Sequence, residues 1–226
     1  MRIGSVFACL LVAAAPALAQ IPPSAEERAH YDGLFAASAQ NDAATITRVA
    51  AGGSGVDARD GHGRTPLHVA AYAKAHDAMR ALVKSGANPN ALESERYDIV
   101  TIAAVADDVQ TLDVALALGG SAGNVTSRYD GTALIAAAHL GHDGVVRTLV
   151  RAGAPLDHVN NLGWTALIES IVLGDGGTRH VATMKALIDG GANVNLADRS
   201  GTTPLALARG RGFGAMVALL ERAGAR

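Results

Sequence analysis

The side chains of this 226-residue chain with the most obvious chemical capacity are its eight histidines, His30, His62, His68, His76, His139, His142, His158 and His180. Imidazoles bind metals or carry protons, but a metal site needs three or four ligands that converge, and short ligand spacings usually announce it. No His-Glu-x-x-His run is present, and the single cysteine, Cys9, lies too near the start to join any of them. His139 and His142 are three apart and could share a helical face, yet Gly141 between them marks a helix break that turns them apart. A metal-binding or enzymatic role for the His-bearing edge is therefore the weaker alternative, and no metal or cofactor is expected.

Hydrolytic chemistry fares no better. No Gly-x-Ser-x-Gly elbow, phosphate loop or dinucleotide fingerprint occurs, and the glycine-rich stretch 174–177 follows no strand and carries no lysine. Glu169 and Asp175 form a conceivable carboxylate pair, but a solvated helix end is the expected reading. No catalytic residue is assigned.

Charge narrows the partner. The 19 basic and 21 acidic residues are interspersed and give a net charge of -2, with no basic run to neutralise phosphates, so nucleic acid is excluded as the expected partner. At the start, Met1-Arg2 precedes an apolar run from Val6 to Ala15 and the small-residue site Ala17-Leu18-Ala19. This predicts a signal peptide over 1–19 cleaved after Ala19, a mature chain in the periplasm or outside the cell, and no stable membrane insertion afterwards.

The elements that must position any site emerge from self-comparison. Arg64-Thr65-Pro66-Leu67-His68 aligns with Gly131-Thr132-Ala133-Leu134, Trp164-Thr165-Ala166-Leu167 and Thr202-Thr203-Pro204-Leu205. The equivalent positions Leu34, Leu67, Val100, Leu134, Leu167 and Leu205 are separated by 33, 33, 34, 33 and 38 residues. About twenty residues after each comes a helix stop with a turn, as in Ser85-Gly86-Ala87-Asn88 and Gly190-Gly191-Ala192-Asn193, where glycine takes the left-handed conformation and Asn or Asp satisfies donors in the following turn. Between the landmarks, Met79, Leu82 and Val83, or Val145, Val146, Leu149 and Val150, recur at three and four, giving each second helix one apolar face. A lone helix pair cannot bury such a face, but a stack of pairs can. The threonines cap first helices, and the alanine pairs such as Ala70-Ala71 and Ala137-Ala138 permit close packing.

With this period and the Thr-Pro-Leu-His motif at Thr65, the chain resembles the ankyrin-repeat family over residues 32–226. The resemblance implies an all-α solenoid of about six helix-turn-helix units with β-turn loops, over 32–59, 60–92, 93–126, 127–159, 160–197 and 198–226, preceded by a lead-in at 20–31. The unit around Asp98 lacks both Thr and Pro and is expected to be the weakest. The step of 38 places five extra residues, Asp175 to Arg179, as a loop between the two helices of the fifth unit.

Recognition in this family implies loop tips and first helices on the concave side. Trp, Tyr and Arg dominate interface energetics, so the expected protein-binding residues are Arg96, Tyr97, Arg128, Tyr129, His139, Trp164, Asp175 and Arg179, with Tyr97 and Tyr129 exposed. The function implied is a non-catalytic scaffold for another protein, or, as the alternative, an inhibitor or protective partner of a secreted enzyme.

Overall fold

The computed structural model describes residues 20–53 and 55–226; the signal peptide expected over 1–19, with Cys9, lies outside them. A short helix, α1 (Ala25–His30), precedes six helix pairs: α2 (Gly33–Ala39) with α3 (Ala43–Ala50), α4 (Pro66–Tyr72) with α5 (His76–Lys84), α6 (Ile99–Val105) with α7 (Val109–Ala117), α8 (Ala133–Leu140) with α9 (Asp143–Arg151), α10 (Ala166–Val172) with α11 (Thr178–Asp189), and α12 (Pro204–Gly210) with α13 (Gly214–Arg222). First helices pack on first helices and second on second, so the pairs form two parallel rows. This is the expected all-α solenoid of six units.

The core lies between the rows. The six register positions Leu34, Leu67, Val100, Leu134, Leu167 and Leu205 are all buried, as are Met79, Leu82, Leu112, Leu149, Leu187 and Leu220 on the second helices. Each such side chain removed from water contributes about 1.5–3 kcal/mol before entropy is counted. Ala70, Ala104, Ala137 and Ala138 are fully buried between first helices, where a longer side chain would force the rows apart.

Local signals start each first helix. Thr65, Thr132, Thr165 and Thr203 accept the amide three residues on, and Pro66 and Pro204 occupy the first turn, where no donor is needed. In the third unit Asp98 does the work of the missing threonine. Its carboxylate accepts the Thr101 amide at 2.8 Å and an Asn124 side-chain amide at 2.8 Å. The departure from Thr-Pro there is chemical, and the helix start stays capped.

Between the helices of a pair the chain reverses through one left-handed residue, Asn41, Lys74, Asp107, Gly141 or Gly212. The fifth unit differs. Its five extra residues, expected as a loop, are divided between a longer turn over 173–177 and an added turn of helix: α11 has 12 residues where α9 has 9. Gly176 takes the left-handed turn there, at φ +71°, with the Phe213 ring packed where a Cβ would stand.

The loops joining pairs are β-turn fingers. Each closes with a backbone bond, such as Asp60 N to Arg64 O, Asn160 N to Trp164 O or Asp198 N to Thr202 O, about 3.0 Å in each case. Inside each of these fingers the leading side chain, Asp60, Asn160 or Asp198, accepts the amides two and four residues on. Numbered by the unit that each leads into, the fourth finger closes one residue later, Thr126 N to Gly131 O, which absorbs the extra residue of the 34-residue step. After the second helices Asn88 and Asn193 accept the amides two residues on, as expected, and a longer-range set of bonds accompanies them. Asp57, Asn90, Asp157 and Asn195 each accept a backbone amide of the following unit, from Asn88, Ser121, Asn193 and Arg226.

Candidate protein-interaction surface

The expected contact residues fall into two groups at opposite ends of the first helices. Arg96, Tyr97, Arg128, Tyr129 and Trp164 lie in or beside the fingers, whereas His139 is in the last turn of α8, Asp175 in the turn between α10 and α11, and Arg179 in the first turn of α11. A first helix of seven or eight residues puts about 10 Å between these ends. The expected residues therefore occupy two separate edges.

At the finger edge the cations are already engaged. Arg96 pairs with Asp130 at 2.9 Å and Arg128 with Glu95 at 2.6 Å, so the third and fourth fingers are cross-braced by two half-exposed ion pairs. Such pairs contribute little to stability, up to about 1 kcal/mol each, but they fix the tips relative to each other. Tyr97, expected to be exposed, is half-buried and packs against the core; burial raises its phenol pKa, with Glu93 adding to the shift. Tyr129 is likewise only partly exposed. The reason is register. Tyr97 and Trp164 both follow a left-handed residue (Arg96, Gly163) and precede the capping residue, at the base of a finger, while Tyr129 sits on the extra-residue finger.

Apolar side chains that do reach solvent cluster on the same edge: Val125 is 39% exposed, Val159 45% and Leu162 42%. They flank Tyr129 and Trp164 in sequence on the fourth and fifth fingers. Leu140, 39% exposed, stands at the far end of α8 next to His139.

His139 leads to a feature that the sequence concealed. Its Nδ1 is 3.5 Å from Glu169 Oε2 on α10. Glu169 is not at a solvated helix end: it is 4% exposed and has the Asn160 side-chain amide donating to Oε1 at 2.8 Å. Burial pushes its carboxyl up to about 7, the Asn160 hydrogen bond offsetting only part of the effect. Burial also lowers the His139 pKa, with the nearby His180 acting in the same direction. Asn160 stands where other fingers carry Asp60 or Asp198. An amide there serves the finger with its oxygen and Glu169 with its nitrogen, which a carboxylate could not do.

His68, His142 and His180 are structural. Buried His68 accepts the Thr65 amide at Nδ1 and faces the Tyr97 carbonyl with Nε2 at 3.1 Å, so it is neutral with the proton on Nε2. His142 and His180 reach back to the Ala104 and His139 carbonyls of the preceding first helices, both at 2.9 Å. Gly141, left-handed at φ +71°, separates His139 from His142. Among the described residues no group of three or more His, Cys, Asp or Glu converges for a metal.

At the second edge Arg179 bridges to Asp107 at 2.7 Å and Asp143 at 3.5 Å, tying the start of α11 to the inter-helix turn of the third unit and to the start of α9. Asp175 is exposed and accepts from the Gly177 amide and His180 Nδ1, each at 2.8 Å.

Comparison with known proteins agrees with this architecture. The ankyrin repeat family model matches residues 62–94 and 129–161. The ankyrin repeat protein YahD of Escherichia coli (strain K12) is 33% identical over 195 residues, covering 86% of this chain and 96% of its own. The B-cell lymphoma 3 protein homolog of Mus musculus is 32% identical over 200 residues, of which this chain spans only 44% of the mouse protein's length. The crystal structure of an ankyrin repeat domain from Acinetobacter baumannii AYE superposes with a TM-score of 0.79 at 41% identity, covering 85% of this chain and 98% of that one. Proteins of this kind are generally non-catalytic scaffolds for contacts between proteins. On the period, the capped first helices, the fingers and these matches together, the chain belongs to the ankyrin-repeat family.

Proposed function

We propose that this chain is an exported, non-catalytic scaffold that grips another protein with the fingers of its fourth and fifth units and the adjoining face of α8 and α10. The observation that carries the reading is the apolar exposure on that edge, where Val125, Val159 and Leu162 flank Tyr129 and Trp164. Apolar and aromatic side chains beside fixed ion pairs match the composition of an interface centre and its polar border. The basic N-terminus, the apolar run and Ala17-Leu18-Ala19 support action in the periplasm or outside the cell.

A pull-down from that compartment with the chain from Gln20, beside a variant carrying Leu162→Ser and Trp164→Ala, tests the reading. A protein retained by the first and lost by the second, with helical content unchanged, supports it. Equal retention by both refutes the finger edge as the grip.

A further inference from the structure

The first three units are not bare. Residues 20–31 run back from the first unit over the second and reach the third, where the Gln20 side-chain amide donates to the Thr101 carbonyl of α6 at 2.9 Å. The grip centres on Arg64. Its guanidinium is 1% exposed and donates to Asp60 Oδ2 at 2.7 Å, to the Ile21 carbonyl at 3.1 Å and to Glu27 Oε1. His62 Nε2 stands 3.3 Å from the same Glu27 oxygen, and the Tyr31 hydroxyl donates to Asp60 at 2.7 Å.

Two observations separate this from ordinary capping of a stack. The fold does not need an arginine at that position. The equivalent residues at the base of the other fingers are Tyr97, Gly131, Trp164 and Thr202, each following a left-handed residue and preceding the capping residue as Arg64 does. What is peculiar to Arg64 is its two bonds to the lead-in. Moreover, the lead-in is held with little apolar burial: Pro23 is its one buried residue, Ile21 is 48% exposed and α1 buries none of its six residues. A helix that short has no stability of its own. A segment tethered by hydrogen bonds and little buried surface opens at low cost.

Withdrawing residues 20–31 leaves Arg64 with Asp60 alone and two terminal nitrogens without acceptors, beside His62. A planar fork of that kind matches a carboxylate. We propose that the surface formed by Arg64, His62 and the start of α6 is a binding site for a peptide segment bearing a carboxylate, filled in the resting chain by its own residues 20–31, which such a peptide displaces. The site lies on the second and third units, apart from the finger edge of the fourth and fifth, and stands or falls independently of that surface.

The probe is a fluorescein-labelled synthetic copy of residues 20–31, titrated by anisotropy into the chain, into a Glu27→Lys variant and into a variant carrying Glu27→Lys with Arg64→Met. The tethered segment competes at an effective concentration in the millimolar range. The chain itself should therefore bind the probe at least about 10-fold more weakly than Glu27→Lys, whose own segment has lost its carboxylate. Adding Arg64→Met should remove most of that binding. Should the double variant fail to fold, a probe with Gln in place of Glu27, titrated into the single variant, makes the same comparison and should bind about 10-fold more weakly than the parent probe. Equal binding to the chain and to Glu27→Lys, no binding to Glu27→Lys, or no effect of either carboxylate or guanidinium removal overturns the proposal and leaves residues 20–31 as a fixed cap.

Discussion

Replacing Glu169 with Gln should make the protein more stable at pH 8 and nearly leave it alone at pH 5. The carboxyl is buried on α10 and its pKa is raised from 4.5 to about 7, with burial as the leading cause. The folded chain thus keeps a proton that the unfolded chain releases above pH 4.5. With respect to this group stability is greatest below pH 4.5, declines as the pH rises, and has lost its full share above pH 7. A rise of that size corresponds to about 3 kcal/mol. Gln keeps an oxygen for the Asn160 amide and never ionises, so it escapes the loss. The variant should exceed the parent by up to about 3 kcal/mol at pH 8, or roughly 6–12 °C in Tm for a chain of this length, and by less than about 1 kcal/mol at pH 5. His139 bears on the acid side: its pKa is lowered, so protonation as pH falls below 6.5 weakens the folded state and narrows the pH range of greatest stability. Urea unfolding of both proteins at the two pH values measures the difference. An equal gap at pH 5 and pH 8, or a parent that gains on the variant as pH rises, refutes the account of Glu169 as a buried, proton-holding carboxyl.

Gly176→Ala should cost roughly 2 kcal/mol, since it combines a left-handed backbone with a Cβ placed 2.4 Å from Phe213 Cδ1; hydrogen exchange should show the loss concentrated in the fifth and sixth units. Arg179→Ala should cost less than about 0.5 kcal/mol, because its partners Asp107 and Asp143 are partly solvated. A double-mutant cycle with Asp107→Ala at low and high salt checks this, and a coupling that survives high salt would contradict it.

The architecture was readable because it is written several times over: the leucine register, the threonine caps and the glycine stops recur, and each copy checks the others. What was not readable depended on single departures from the repeat. The 34-residue step gave no hint that its extra residue lengthens the fourth finger and takes Tyr129 out of line with Tyr97 and Trp164. Glu169 reads as polar and therefore solvated; only the partner at Asn160, nine residues earlier and in another element, reveals that it is enclosed. The lead-in carries no motif, although Arg64, a lone cation in a series of Tyr, Gly, Trp and Thr, was a usable signal. The inserted residues 175–179 were correctly located along the chain, but part of them continues the helical pattern into α11, and loop composition alone could not place that boundary.

The Asn and Asp side chains that reach from each inter-unit loop to the next have a mechanical meaning. Asp57 holds Asn88, Asn90 holds Ser121, Asp157 holds Asn193 and Asn195 holds Arg226, with the acceptor 31 residues before the donor except across the fifth unit, where the insertion makes it 36. Across the 126–131 finger, whose extra residue makes the spacing 32, the equivalent pair is Gly123 and Pro155, which offer neither a side-chain acceptor nor an amide hydrogen. The neighbouring Asn124 reaches backward, donating to Asn90 and Asp98. The array therefore resembles a row of linked springs with one softer link, at the fourth unit, where bending or pulling would concentrate. On one side of that link lie the three units crossed by the lead-in, and on the other lie the insertion and the Glu169 carboxyl. A load applied at either end would be shared within a half before it passed to the other.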